Sequence, residues 1–197
     1  MDYYHVTEKE LEIGTLLSTD FIPEVNKKIV YATAKKCEED LSLVLLAARQ
    51  NKLKYERKDI DELTYKTLMK CHSEGVIEWF RQKYYSNEMG RFDSIYLTDS
   101  IENAHLFGNA NRKEFHIYKI ELLNNNPSLI KKYKMKQYEI TETILEQLWS
   151  YDSVEEANDF LSNVKKFIDD YFNGVGTGDF FEYLTVDKNA RVVKKIQ

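Results

Sequence analysis

Apolar and polar positions alternate near both ends of the chain and recur every three or four residues through its middle. Residues 2–7 are β-branched and aromatic and predict a short first strand. Gly14 follows in a turn-like stretch. From about Lys35 to Lys52, Leu41, Val44, Leu45 and Ala48 share one face and predict a helix. A second helix is predicted from about Asp59 to Tyr85, with Tyr65, Leu68, Met69, His72, Val76 and Phe80 at helical spacing, weakened and divided at Gly75. Residues 94–98 predict a strand. Asp99 and Ser100 then offer a helix N-cap, Glu102 an acidic first turn and Gly108 a stop. Residues 115–123 predict a further strand, ended by the Asn124 to Pro127 cluster.

The strongest helical signal covers 153–172. Ser153 and Glu156 form a capping box, and Val154, Ala157, Leu161, Val164, Ile168 and Tyr171 recur at spacings of three and four. A loop with glycines at 174, 176 and 178 follows. Residues 180–186 and 191–196 then predict a terminal hairpin around Asp187 to Ala190. Strands at both ends bracketing a helical middle predict an α+β fold. The expected organisation is a single domain over 1–197, with a helical insertion at about 35–85 and a second helical segment at about 139–173.

Composition narrows the classes. The 43% hydrophobic content supports a core, and 7 Gly and 2 Pro exclude collagen-like and Pro-rich chains. Two cysteines, Cys37 and Cys71, make neither a disulfide framework nor a four-cysteine zinc site. The start of the chain lacks a basic, apolar leader and no stretch is long enough to span a membrane, so a cytoplasmic protein without a membrane partner is expected. The net charge of −5 is segregated. Residues 112–136 carry seven cations against Glu114 and Glu121, whereas 139–170 carry nine carboxylates against Lys165 and Lys166. Such blocks mark either two solvated faces or a polyanion-facing side and its reverse. Tyr118, Tyr133 and Tyr138, in or beside the basic block, would suit RNA or single-stranded DNA.

Three residues carry candidate chemistry. On the strand from Phe180 to Val186, alternation puts Glu182 on one face with Phe180, Leu184 and Val186. A carboxylate in an apolar row faces a cleft or a partner, or sits at a sheet rim. His5 lies between Tyr4 and Val6 on the first strand, with Thr7 on the same face, and alone reads as a packed strand residue. Tyr96, between Ile95 and Leu97, reads as a core aromatic.

Together they resemble the His-Tyr-Glu class of ADP-ribosyltransferases, which includes diphtheria-like toxins and poly-ADP-ribose polymerases. The resemblance rests on Tyr-His-x-Thr at residues 4–7, Ile-Tyr-x-x-Asp at 95–99 and a glutamate on a late strand. The most specific segment is Ile95 to Phe107, in which Phe107 follows Tyr96 by eleven residues across a short helix, with Ala104 as the small residue before it. It implies a split antiparallel sheet forming an NAD cleft. By that resemblance His5, with Thr7 beside it, binds ribose hydroxyls, Tyr96 and Phe107 sandwich the nicotinamide, and Glu182 stabilises positive charge on the ribose. Arg91 is the candidate pyrophosphate contact, with Asp93 its expected ion-pair partner. No metal is required. Val6 stands where many members have glycine. Phe180 stands where arginine-modifying members carry a second carboxylate, which argues against arginine as acceptor. The implied activity is mono-ADP-ribosylation of an intracellular nucleic acid or protein, by a toxin with a cognate antitoxin or in phage defence. An NAD glycohydrolase or a catalytically silent interaction domain are the alternatives.

Overall fold

A computed structural model describes residues 1–19, 23–124, 126, 128–176 and 178–197. Asn125, Pro127 and Thr177, parts of the loop signals above, lie outside the described residues. The elements run β1 (Tyr3–Thr7), α1 (Glu24–Glu39), α2 (Leu41–Glu56), α3 (Glu62–Tyr84), β2 (Ile95–Leu97), α4 (Ile101–Asn111), β3 (His116–Leu122), β4 (Ile130–Lys134), α5 (Met135–Leu145), α6 (Val154–Phe172), β5 (Phe181–Thr185) and β6 (Ala190–Lys195). The class is α+β, as the pattern predicts.

The chain divides into two compact units. One gathers Met1–Phe21, Met89–Met135 and Thr177–Gln197, the other Ile22–Glu88 and Lys136–Gly176. The helices of the second unit bury their apolar stripes on one another, α1 on α3, α2 on both, and α6 on α2 and α3. They therefore have a core of their own.

The first unit holds two three-stranded antiparallel sheets, ordered β1-β3-β6 and β2-β5-β4. Ile95, Leu97 and Tyr183 of one sheet share an apolar cluster with Tyr118, Ile120 and Val192 of the other. Each fully buried aliphatic side chain there stabilises by about 1.5–3 kcal/mol. On the opposite face of β1 and β3, Tyr4, Val6 and Ile117 pack against Ala104 of α4, with Phe107 beside them. The expected terminal hairpin is corrected: β5 and β6 are neighbours in sequence but belong to different sheets. Asn189, in the turn between them, is anchored elsewhere. Its side chain donates to the Asn124 carbonyl and to Thr185 Oγ1, tying the turn to the end of β3 rather than closing a two-strand ladder.

Local signals account for most helix boundaries. Ser100 and Ser153 cap α4 and α6 by accepting from the amides of Asn103 and Glu156. The helix expected over 35–52 is two helices, broken at Asp40. That residue is extended, at φ −163° and ψ 101°, and its carboxylate caps α2 through Ser42. Gly75 does not divide α3. A Cβ there would lie 2.4 Å from Thr33 Cβ, so glycine lets α1 approach. Gly108 does not end α4, which runs on to Asn111. A Cβ at 108 would meet the Phe115 ring at 2.5 Å.

Candidate functional site

The sheets of the first unit meet at their edge strands. Tyr4 of β1 and Thr98, just past β2, form an isolated antiparallel bridge with both amide–carbonyl distances at 2.9 Å. Backbone groups on an edge strand point outward at every second residue. Because Thr98 turns its N–H and C=O toward β1, the Tyr96 carbonyl points there too. At that position the ladder is not continued by a backbone amide of β1. The His5 side chain donates instead, Nδ1 to Tyr96 O at 3.0 Å. This fixes the tautomer, with the proton on Nδ1 and Nε2 as acceptor. His5 is buried, and desolvation pushes its pKa down from 6.5 to about 4. The Tyr96 hydrogen bond works the other way and the Arg112 charge adds to the lowering. The imidazole is therefore neutral at pH 7.

Register brings Glu182 to the same place. Tyr96 pairs with Leu184, and Tyr133 of β4 pairs with Glu182. Cross-strand partners share a face, as do residues two apart, so Tyr96, Leu184 and Glu182 lie on one face of the sheet. Glu182 is buried, and its charge is met by Arg91, which donates to Glu182 Oε1 through a terminal guanidinium nitrogen. The guanidinium carbon stands 5.0 Å from the centre of the Tyr96 ring, and the Tyr96 hydroxyl donates to the Arg91 carbonyl at 2.8 Å. Arg91, tyrosine and glutamate thus form one interlocked group.

His5, Tyr96, Phe107 and Glu182 line one cavity of about 40 Å³, together with Arg112 and Phe180 among others. That volume holds a few water molecules. Arg112, the residue at the end of α4, was not singled out in the sequence. Its Nε is buried without a hydrogen-bond partner among the described residues, and its guanidinium stands 5.9 Å from the Phe107 ring. Burial lowers its pKa, opposed by the charge of Glu8. The basic residue that ends a helix five positions after Phe107 was the available signal, hidden inside the basic block.

Two expected site residues are not among those that line the cavity. Arg91 is buried at 9% exposure and engaged with Glu182, and it is not among the residues lining the cavity. Thr7 is buried but likewise absent from the lining, and its hydroxyl accepts from the Lys9 amide at 3.1 Å. The aromatic part of the nucleic-acid expectation is also corrected. Tyr118, Tyr133 and Tyr138 are all buried, so their rings are not available to stack on bases. Tyr118 accepts from the Leu11 amide and Tyr138 donates to Glu74. Lys131, Lys132 and Lys134 lie on β4, an edge strand, with Lys132 Nζ 3.7 Å from the Phe181 ring centre. Lysines there also discourage edge-to-edge pairing.

His72 is packed in the second unit. Its Nδ1 shares a hydrogen bond with Thr33 Oγ1 at 2.9 Å and its Nε2 with Asn51 at 3.1 Å. Among the described residues no cluster of three or more His, Cys, Asp or Glu could hold a metal, and no helix is long and apolar enough to cross a membrane. No protein-family model matches the chain, and no curated protein matches it.

Proposed function

We propose that the protein is an NAD-dependent mono-ADP-ribosyltransferase acting on an intracellular macromolecule, in the cytoplasm, and that its sheet unit is the split-sheet NAD core of that class. The observation that carries this reading is the shared cavity of His5, Tyr96, Phe107 and Glu182, residues drawn from the start, the middle and the late part of the sequence. Two small antiparallel sheets joined by one bridge also suit a split-sheet cleft. The gathering of these side chains weighs against a catalytically silent interaction domain.

The chemistry follows from the groups present. Breaking the bond between nicotinamide and ribose builds an oxocarbenium-like cation. A fixed carboxylate beside it, Glu182, lowers the barrier electrostatically. Tyr96 and Phe107 are the flat surfaces for the nicotinamide ring. His5 Nε2 accepts from a ribose hydroxyl, because Nδ1 is committed to the Tyr96 carbonyl. The pyrophosphate role expected of Arg91 passes to Arg112, whose buried Nε is a donor without a partner among the described residues. Arg91 instead holds Glu182 in place. A cavity of about 40 Å³ is far below the several hundred of a ligand pocket, so NAD entry widens it by side-chain movement.

The test is incubation with NAD labelled on the adenine ribose in a cell lysate, followed by protease or nuclease. Label on a macromolecule, abolished by Glu182→Gln, is the expected result. Free ADP-ribose as the only product would make the protein an NAD glycohydrolase. Intact NAD with folded protein would remove the enzyme reading. The toxin assignment is separate. Induction in a bacterial host should arrest growth, and Glu182→Ala should restore it; normal growth with folded wild type would remove that assignment alone.

A further inference from the structure

The helical unit has a groove of its own, about 610 Å³ in volume, within the size range of small-molecule sites. One wall is α2, which contributes Arg49 and Lys52. A second is α3, which contributes Tyr65, Lys66 and Lys70. Glu142 of α5, and Glu146 and Trp149 of the 3-10 segment Glu146–Ser150, complete it. Spacings of three and four put Arg49 with Lys52, and Lys66 with Lys70, on single helix faces, and Tyr65 adjoins Lys66.

Two aromatic rings are already fixed there. Trp149 packs against His72 with centroids 5.8 Å apart, and its Nε1 donates to Ser73 Oγ at 3.3 Å. Tyr65 stacks on Tyr55 at 4.7 Å, with planes 9° apart. The polar groups are unevenly satisfied. Arg49 is anchored to the Tyr151 carbonyl and ion-paired with Asp152 at 3.3 Å, and Lys66 is paired with Glu62. Lys52 forms no ion pair among the described residues. Glu142 Oε1 is a buried acceptor without a hydrogen bond among the described residues, and the Lys70 ammonium stands 3.2 Å from it as an ion pair. The lining therefore combines preset rings, cations in excess of carboxylates, and a buried acceptor.

We propose that this groove binds a nucleoside phosphate. A base lies against Trp149 or Tyr65, its amino group or a ribose hydroxyl donates to Glu142, and the phosphate is met by Lys52 and Lys66. The three parts of such a ligand match the three kinds of group present: rings for stacking, an acceptor for N–H or O–H, and cations for phosphate. An apolar ligand would leave the charges unanswered, and a bare anion would face the carboxylates without using the rings. The proposal stands on residues of the helical unit alone and does not depend on the reading of the sheet unit.

Tryptophan emission tests it, since Trp79 and Trp149 are the only two tryptophans. Trp79→Phe leaves Trp149 as the sole reporter, with circular dichroism confirming the fold. Titration with AMP should give a saturable change in emission. Adenosine and inorganic phosphate, each carrying part of the recognised chemistry, should bind at least about tenfold more weakly. Lys52→Glu in the same background should weaken AMP on the order of tenfold. A short oligoadenylate distinguishes sources: binding that tightens with length assigns the site to nucleic acid, and binding no tighter than AMP assigns it to free nucleotide. No saturable change up to on the order of 10 mM AMP, phosphate binding as well as AMP, or a Lys52→Glu variant that binds like its parent would each overturn the proposal.

Discussion

The Arg91–Glu182 pair changes what substitution of Glu182 means. Both side chains are buried, so each is the other's compensation for leaving water. Arg91→Ala strands a buried carboxylate and should cost about 3–5 kcal/mol of stability by urea unfolding. Glu182→Gln should lower NAD cleavage by on the order of 100-fold or more, as loss of a preorganised electrostatic group does. It should also lower stability, because the Arg91 charge loses its partner. Combining Glu182→Gln with Arg91→Met should recover much of that stability without recovering activity. A double-mutant cycle showing simple additivity would mean that the two residues are not coupled. Phe107 poses a cleaner question, since it is partly buried beside the Tyr4 and Val6 cluster. Phe107→Ala should weaken NAD binding by about 1–3 kcal/mol if one stacking face is lost. Unchanged affinity by calorimetry would return Phe107 to the core alone.

Helix α3 illustrates a conflict between propensity and packing. Alanine is the better helix former by about 1 kcal/mol, yet position 75 is glycine. The contact with Thr33 and the Val30 carbonyl decides it, because a methyl group there would lie within 2.4 Å of one and 2.8 Å of the other. Gly75→Ala should therefore destabilise by about 1–3 kcal/mol in spite of its higher propensity. A gain in melting temperature would show that α1 can retreat freely. The cap of α6 behaves in the ordinary way. Ser153→Ala removes the acceptor for the Glu156 amide and should cost about 1 kcal/mol. These two substitutions read different links: one tests tertiary approach, the other a local bond.

Each unit buries a histidine in neutral form. His5 in the sheet unit and His72 in the helical unit are both pushed from 6.5 to about 4, chiefly by desolvation. An unfolded histidine takes up its proton near 6.5, whereas the folded ones resist until about 4. Between those values the unfolded chain binds more protons, so stability is full above 6.5 and falls as pH is lowered toward 4. Each histidine can contribute up to about 3 kcal/mol to that loss. Melting temperature should decline across this window, and His72→Gln should flatten the decline for the helical unit. A profile level from pH 7 to 4 would show that neither ring is held neutral.

The pattern of side chains along the chain determined the class and most elements. Short runs of β-branched, aromatic and apolar residues marked β1, β2, β3, β5 and β6, and the Ser100 and Ser153 signals marked the starts of α4 and α6, because caps and strand propensity act within a few residues. It also singled out Glu182 as a carboxylate in an apolar row. Periodicity failed at Asp40, where one residue separates two helices of similar face, and it left β4 unread because three lysines mask its alternation. Other features depended on partners remote in sequence. Sheet membership of β5 and β6 is set by hydrogen bonds to β2, β4 and β3, not by the turn between them. The role of Arg91 turned on finding Glu182 ninety-one residues away. The prominence of Arg112 turned on a buried Nε that has no hydrogen-bond partner among the described residues, and the burial of three tyrosines removed a surface that spacing alone had offered. Local bonds are written in neighbouring residues, whereas burial and charge compensation exist only once distant segments meet.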